Sequence, residues 1–190
     1  MEIFVTRHGQ TDWNVLEKLQ GQTDIELNNI GRQQAKETGE LIKYENIDLI
    51  ISSPLKRAKE TAQIINRNFN VSIIEDNRLM ERRFGKCEGL TKNDRKQLKE
   101  INPEINDVWN YNKNINFNNM ETMKEFCSRI YEFLDDMIKN YKDKNILIVT
   151  HGGTSVYIKC YFLKIPLEKL VDRGEVIKGL KNCEIAKFKI

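Results

Sequence analysis

The chain has two histidines, His8 and His151, and they occupy matching settings. Each lies where a short apolar run, Ile3-Phe4-Val5 or Ile146-Leu147-Ile148-Val149, gives way to glycine. Such runs read as buried strands, and a glycine just beyond lets the backbone turn tightly. In open α/β sheets, ligands bind outside the carboxyl ends of the strands. If these two strands are neighbours, the imidazoles face each other across that crevice. Arg7 stands beside His8, and Arg57 follows a further apolar run, Ile47-Asp48-Leu49-Ile50-Ile51, that could lie next to the first. This set of residue types suits a phosphate monoester. Guanidinium forks match phosphoryl oxygens bidentately. A neutral His8 can attack phosphorus through one ring nitrogen while backbone holds the other. A protonated His151 would stabilise charge on the equatorial oxygens. Glu81, in the glycine-flanked turn Leu79–Gly85, could protonate the leaving oxygen and then take a proton from water. The cations neutralise the phosphate, so the scheme needs neither metal nor cofactor.

Composition sets outer limits. At 190 residues the chain is long enough to bury a core as one domain, 1–190, with an inserted lobe at 91–119. A hydrophobic fraction of 39% and a charged fraction of 31% belong to a globular protein. Lys+Arg 31 against Asp+Glu 28 leaves +3, too balanced for a nucleic-acid partner. No apolar run approaches the ~18 residues of a membrane span, and a strand starting at residue 2 leaves no room for a signal peptide. Cys87, Cys127, Cys160 and Cys183 form no Cys-x-x-Cys pair, which argues against a zinc knuckle or disulfide framework and for a cytoplasmic setting.

The elements that must position the site follow from periodicity. Residues 8–27 are a long polar connection anchored by Trp13, Leu16 and Leu27, and long connections of this kind are often functional. A weakly patterned helix spans Asn28–Lys43, with Ala35, Leu41 and Ile42 as its apolar positions. Ser53 as N-cap and Pro54 at the first helical position start the next helix, whose stripe is Leu55, Ala58, Ala62, Ile65 and Phe69. Arg57 in its first turn opposes the helix dipole unless an anion lies nearby. Val71–Ile74 reads as a strand, Met120–Tyr141 as a long amphipathic helix, Thr154–Leu163 as another, and Cys183–Ile190 as a last strand. This order predicts a three-layer α/β/α sandwich with a largely parallel sheet and a small helical lobe over the active site.

Taken together, Arg7-His8-Gly9-Gln10-Thr11 with Trp13-Asn14, Ser52-Ser53-Pro54-Leu55-Lys56-Arg57-Ala58, Glu81-x-x-Phe84-Gly85 and Thr150-His151-Gly152 resemble the histidine phosphatase superfamily, in its phosphoglycerate-mutase-like branch. The resemblance implies a phosphohistidine on His8, with Arg7, Arg57 and His151 completing the phosphate pocket and Glu81 as proton donor. It also implies Asn14, Gln20, Gly21 and Gly152 as phosphate or substrate contacts, and a small phosphorylated metabolite as partner. Asn118-Asn119-Met120-Glu121-Thr122, with Arg129 beyond it, is similar to a Gly-Glu-Ser turn of the family, from which only the helix placement carries over.

Two departures bear on the reaction. Arg82 after Glu81 is similar to the mutase subgroup, where Arg82 and Arg83 would clamp a substrate carboxylate or second phosphate. The short lobe, and a chain ending at Ile190 soon after the last strand, favour hydrolysis instead. The leading expectation is a metal-independent phosphomonoesterase. Phosphoglycerate-mutase-type transfer is the alternative, and a non-catalytic phospholigand-binding module is a weaker one. A metallohydrolase would need His8 and His151 as ligands, yet no His-x-x-x-His pair supports it and Arg7 would repel the cation. Oligomeric state is open.

Overall fold

The computed structural model describes residues 1–170 and 177–190. Its centre is a sheet of five strands: β1 (Glu2–Arg7), β2 (Leu49–Ser52), β3 (Ile73–Glu75), β4 (Ile146–Thr150) and β5 (Ile185–Lys189). Their order is β3-β2-β4-β1-β5. The first four run parallel, and β5 joins the edge of β1 antiparallel. This matches the expected largely parallel sheet.

Alternation along the strands builds two cores. Ile3, Val5, Leu49, Ile51, Ile146 and Ile148 face one side, where α5 (Met123–Asn140) and α6 (Gly152–Phe162) cover them. Phe4, Ile50, Leu147 and Val149 face the other, against Ala58, Ala62 and Ile65 of α3 (Lys56–Asn66) and Ile42 of α2 (Asn29–Ile42). Strands covered on both faces read as unbroken apolar runs, as β4 does. A short helix α1 (Asp12–Val15) lies in the connection after β1. The 91–119 segment holds α4 (Lys92–Ile101) and a single 3-10 stretch, Pro103–Asp107. It packs through its own cluster of Phe84, Cys87, Val108 and Met120.

Several boundaries differ from expectation, each for a tertiary reason. α3 starts at Lys56, not Pro54, and Ser53 is not its cap. Leu55 holds the N-cap position without a side-chain bond. The Lys56 amide is instead capped by Asp24 Oδ1 at 2.7 Å, a group from the loop after β1. α3 ends at Asn66, so Phe69 packs on the core from the turn beyond. α5 starts at Met123, because Thr122 and Glu125 form a capping box there. Met120 belongs to the lobe cluster instead. α6 begins two residues before Thr154, at Gly152. Leu41 is 76% exposed, so α2 packs through Gly31, Ala35, Thr38, Gly39 and Ile42. In the first loop Leu27 is a buried anchor, whereas Leu16 is exposed.

Candidate active site

The register of β1 and β4 pairs Arg7 with Thr150, so the next residues, His8 and His151, emerge side by side. Their ring centroids lie 5.2 Å apart. β2 does not neighbour β1 as expected, since β4 lies between them. Arg57 reaches the site from the first turn of α3, and Ser53 from the end of β2 puts its hydroxyl 2.7 Å from His151 Nε2. That engagement explains why Ser53 does not cap the helix.

His8 is held for use by one nitrogen. Its Nδ1 lies 2.7 Å from the Gly9 carbonyl, so Nδ1 carries the proton and Nε2 keeps its lone pair. Burial, then the charges of Arg57 and Arg7, push its pKa well below 6.5. The ring is therefore neutral at physiological pH. Gly9 must be glycine, because a Cβ there would sit 2.3 Å from the Gly31 carbonyl oxygen. The backbone around it is pinned: the Gly9 amide donates to Thr61 Oγ1 at 3.0 Å, and Asn182 Nδ2 donates to the His8 carbonyl at 2.9 Å. His151 is pushed toward its neutral form for the same reasons, burial first and then Arg57, His8 and Arg7. Among the described residues its buried Nδ1 has no hydrogen-bond partner. A bound phosphate dianion works against both shifts and favours a protonated His151.

The two arginines are fixed differently. Arg57 is fully buried, and its terminal nitrogens donate to the carbonyls of Gly21 (2.7 Å) and Thr23 (2.8 Å). Burial lowers its pKa to about 10, partly offset by Glu81 and Asp24, so it stays charged at neutral pH. Its buried Nε has no partner among the described residues. Arg7 donates to the Leu180 carbonyl at 3.3 Å and lies against Gly152, where a Cβ would stand 3.4 Å from its guanidinium carbon. The contact Gly152 makes is thus with Arg7, at the start of α6.

The first loop and the Glu81 turn are joined by a residue the sequence reading missed, Glu88. Its Oε1 accepts from the amides of Gln22 (3.1 Å) and Phe84 (2.9 Å). Its Oε2 accepts from the Thr23 amide (2.8 Å) and hydroxyl (2.5 Å). Gly21, at φ +53°, leaves no room for a side chain, since a Cβ would meet Glu88 Oε1 at 2.2 Å. Gly21 therefore serves by its carbonyl and by the space it leaves. Glu81 is aimed by backbone donors: Gly153 N to Oε2 at 2.8 Å and Arg82 N to Oε1 at 3.0 Å. Arg129, paired with Glu121 at 2.6 Å, donates to the carbonyls of Arg78, Met80 and Glu81 and so fixes the segment that carries this carboxylate.

A pocket of about 250 Å³ opens over these groups. Seven of the ten expected site residues line it: Arg7, His8, Asn14, Gln20, Gly21, Arg57 and Glu81. His151 and Gly152 are buried behind. Arg82 is a correction. Its side chain is fully buried, donates to the carbonyls of Glu121 (2.7 Å) and Val108 (2.5 Å), and lies 4.9 Å from the Trp109 ring. Glu81 takes up the Arg82 amide, while the guanidinium turns into the lobe, so it cannot clamp a substrate. Arg83 is exposed and also outside the pocket. Asn14 forms the capping box with Thr11 as well as lining the site. No three His, Cys, Asp or Glu side chains come together as a metal site among the described residues. No described helix is long and apolar enough to cross a membrane.

Paired imidazoles at adjacent parallel strand ends, two guanidinium groups of which Arg57 is fully buried, and a backbone-held carboxylate define an α/β enzyme built for phosphate esters. The chain belongs to the histidine phosphatase superfamily (branch 1), whose family model matches residues 3–189. It is thus a phosphomonoesterase of the histidine type. It is 41% identical over 151 residues to "Uncharacterized phosphatase PhoE" of Bacillus subtilis (strain 168), covering 80% of this chain and 72% of the relative. It is 37% identical to "Phosphoglycerate mutase-like protein 4" of Arabidopsis thaliana, covering 90% and 76%. Among solved structures, Bacillus stearothermophilus YhfR superposes with a TM-score of 0.87 at 26% identity, covering 100% of this chain and 91% of that one.

Proposed function

We propose that this chain hydrolyses a small phosphate monoester through a phosphohistidine on His8, without a metal. The observation that carries the reading is the setting of His8: tethered through Nδ1 to the Gly9 carbonyl and lining the pocket beside Arg7 and Arg57, where burial and the two arginines favour its neutral form. Arg7 and Arg57 bind the phosphoryl oxygens, with Asn14 and Gln20 in the same wall. His8 Nε2 attacks phosphorus, and the ester oxygen leaves with a proton from Glu81. Glu81 then takes a proton from a water that attacks phospho-His8, which releases inorganic phosphate and restores the neutral ring. His151 gains a proton as the dianion binds and supports the equatorial oxygens.

Hydrolysis is favoured over mutase action by where Arg82 and Arg83 lie. A mutase must hold a bisphosphorylated intermediate while it reorients, which asks for cations beyond those that grip one phosphoryl group. The two arginines that suggested such a clamp are not in the pocket, and the further cations that line it are held at its wall: Arg95 donates to the carbonyls of Glu17 and Leu90, and Lys18 lies over the Trp13 ring. Rapid quench with labelled substrate should trap an acid-labile, base-stable phosphoryl adduct that His8→Ala abolishes. With 3-phosphoglycerate the product should be inorganic phosphate or nothing, with no 2-phosphoglycerate above background, and activity on phosphate monoesters should survive excess chelator. Efficient interconversion with 2-phosphoglycerate, stimulated by the bisphosphate, overturns hydrolysis; full activity in His8→Ala overturns the mechanism.

A further inference from the structure

Ser53 sits just past the end of β2, and its amide donates to the Val149 carbonyl at 3.0 Å. That bond keeps it in register with the strand that leads into His151. Ser53 is fully buried, and its hydroxyl meets His151 Nε2 at 2.7 Å. We propose that Ser53 is a positioning residue that sets the tautomer of His151: its hydroxyl donates to Nε2, so the ring proton sits on Nδ1 and is offered to the ligand as a hydrogen-bond donor. The inference deepens the phosphatase reading, but its test needs no turnover, so the two fail separately.

Counting donors and acceptors decides the direction of that bond. Among the described residues the Ser53 oxygen has one further contact, the Leu55 amide, which donates to it at 3.4 Å. The acceptor left for the hydroxyl hydrogen is His151 Nε2. Were Nε2 to carry the proton and donate to Ser53, two buried groups would go unsatisfied, the hydroxyl hydrogen and the bare Nδ1. With the serine donating, the unsatisfied group is Nδ1–H alone, and Nδ1 is the atom that has no partner among the described residues. Buried polar groups are seldom left so, and the acceptor that Arg7 and Arg57 would draw alongside is an oxyanion. A bare Nδ1 lone pair would repel that anion. His8 shows the contrast. The Gly9 carbonyl can only accept, so it engages the Nδ1–H of His8 and leaves Nε2 with a lone pair for attack. The same tautomer thus presents a nucleophile on one ring and a donor on the other, because a carbonyl holds the first and a hydroxyl the second. A hydroxyl also serves the charged ring, since it can accept as well as donate. When His151 takes a second proton from solvent on Nε2, the Ser53 hydroxyl turns and accepts from it, while Nδ1–H keeps its direction.

The test is proton–nitrogen NMR on the full chain carrying isotope-labelled histidine, with His8→Asn to tell the two rings apart. Without phosphate and above neutral pH, His151 should show the Nδ1–H tautomer, against the Nε2–H preference of a free histidine side chain. In Ser53→Ala that tautomer should give way toward Nε2–H, and Ser53→Thr, which restores the hydroxyl, should bring it back. With inorganic phosphate bound, the midpoint at which His151 becomes charged should fall by ~1–2 pH units in Ser53→Ala, because the charged ring loses a hydrogen bond. Arg57 of α3, Arg7 and His8 at the end of β1, and Arg129 of α5 act on the ring, and Glu81 holds the Gly153 amide beside it. All of them remain in that variant, so the shift reports the hydroxyl. A wild-type His151 in the Nε2–H form overturns the inference whether or not the variants fold. A folded Ser53→Ala protein with unchanged tautomer and midpoint overturns it too. Absence of turnover with every phosphate ester refutes the phosphatase reading and leaves the tautomer to be judged by the NMR signals alone.

Discussion

Glu88 touches no substrate in the proposed mechanism, yet its isosteric replacement should cost much of the activity. The carboxylate accepts four hydrogen bonds, from Gln22 N, Phe84 N, Thr23 N and Thr23 Oγ1. Glu88→Gln keeps the shape but offers one acceptor oxygen, and turns an NH₂ toward donors on the other side. Two charge-assisted bonds are lost, each contributing ~1.5–3 kcal/mol. The strain falls on Gly21 and Thr23, whose carbonyls hold the Arg57 guanidinium. Complete loss of one such preorganised charge would cost ~10²–10³ in rate. The loop relaxes part of the way and Arg57 is still present, so the expected drop in kcat/KM is ~10–100-fold. Affinity for inorganic phosphate should weaken along with it, because the same guanidinium grips ground state and transition state. Steady-state kinetics on a nitrophenyl ester and competitive inhibition by phosphate would measure both, with a thermal melt to confirm folding. A folded Glu88→Gln protein with unchanged kcat/KM and unchanged phosphate inhibition would refute the coupling between Glu88 and Arg57.

Two further outcomes follow from the site. Glu81→Gln should lose ~10²–10⁴-fold on alkyl phosphates, whose leaving group needs a proton, and far less on nitrophenyl phosphate; equal losses would remove Glu81 from the acid role. His8 and His151 are both held toward the neutral form in the folded protein, with pKa values pushed down by burial and by the arginines. Unfolding lets both rings bind protons near pH 6.5, so their contribution to stability is complete above that pH and is lost as pH falls below it. The slope contributed can reach ~2.7 kcal/mol per pH unit for the pair. Urea midpoints between pH 7 and 5 should fall in the wild-type chain and flatten in a His8→Asn/His151→Asn double variant. Parallel profiles for the two proteins would show that the rings are not held neutral.

Much of the site was legible in the sequence because its parts are local. A strand that runs out into Arg7-His8-Gly9, and another into His151-Gly152, announce themselves through β-branched runs and turn residues within a few positions. Arg57 is similarly marked by its place in the first turn of a helix, and Glu81 by a turn flanked with glycine. Glu88, Asn182, Thr61 and Ser53 gave no comparable signal. A carboxylate, an amide or a hydroxyl becomes a positioning group only through partners tens of residues away, as Glu88 does with Thr23 or Asn182 with the His8 carbonyl.

By itself, then, the sequence determined the main element types, the two faces of a parallel sheet and most of the candidate residues that meet in the pocket, since periodicity and turn chemistry record local burial and backbone shape. Tertiary structure alone decided strand order, and with it that β4 separates β2 from β1 and sets His151 beside His8. It decided where α3 begins, because Asp24 supplies the cap while Ser53 is bound to His151. It also decided the direction of Arg82. Glu81 and Arg82 are adjacent in the chain, but one side chain accepts the Gly153 amide at the site and the other ends on the carbonyls of Val108 and Glu121. Which way a side chain turns depends on which distant donor or acceptor would be left unsatisfied by the alternative, and no local pattern records that.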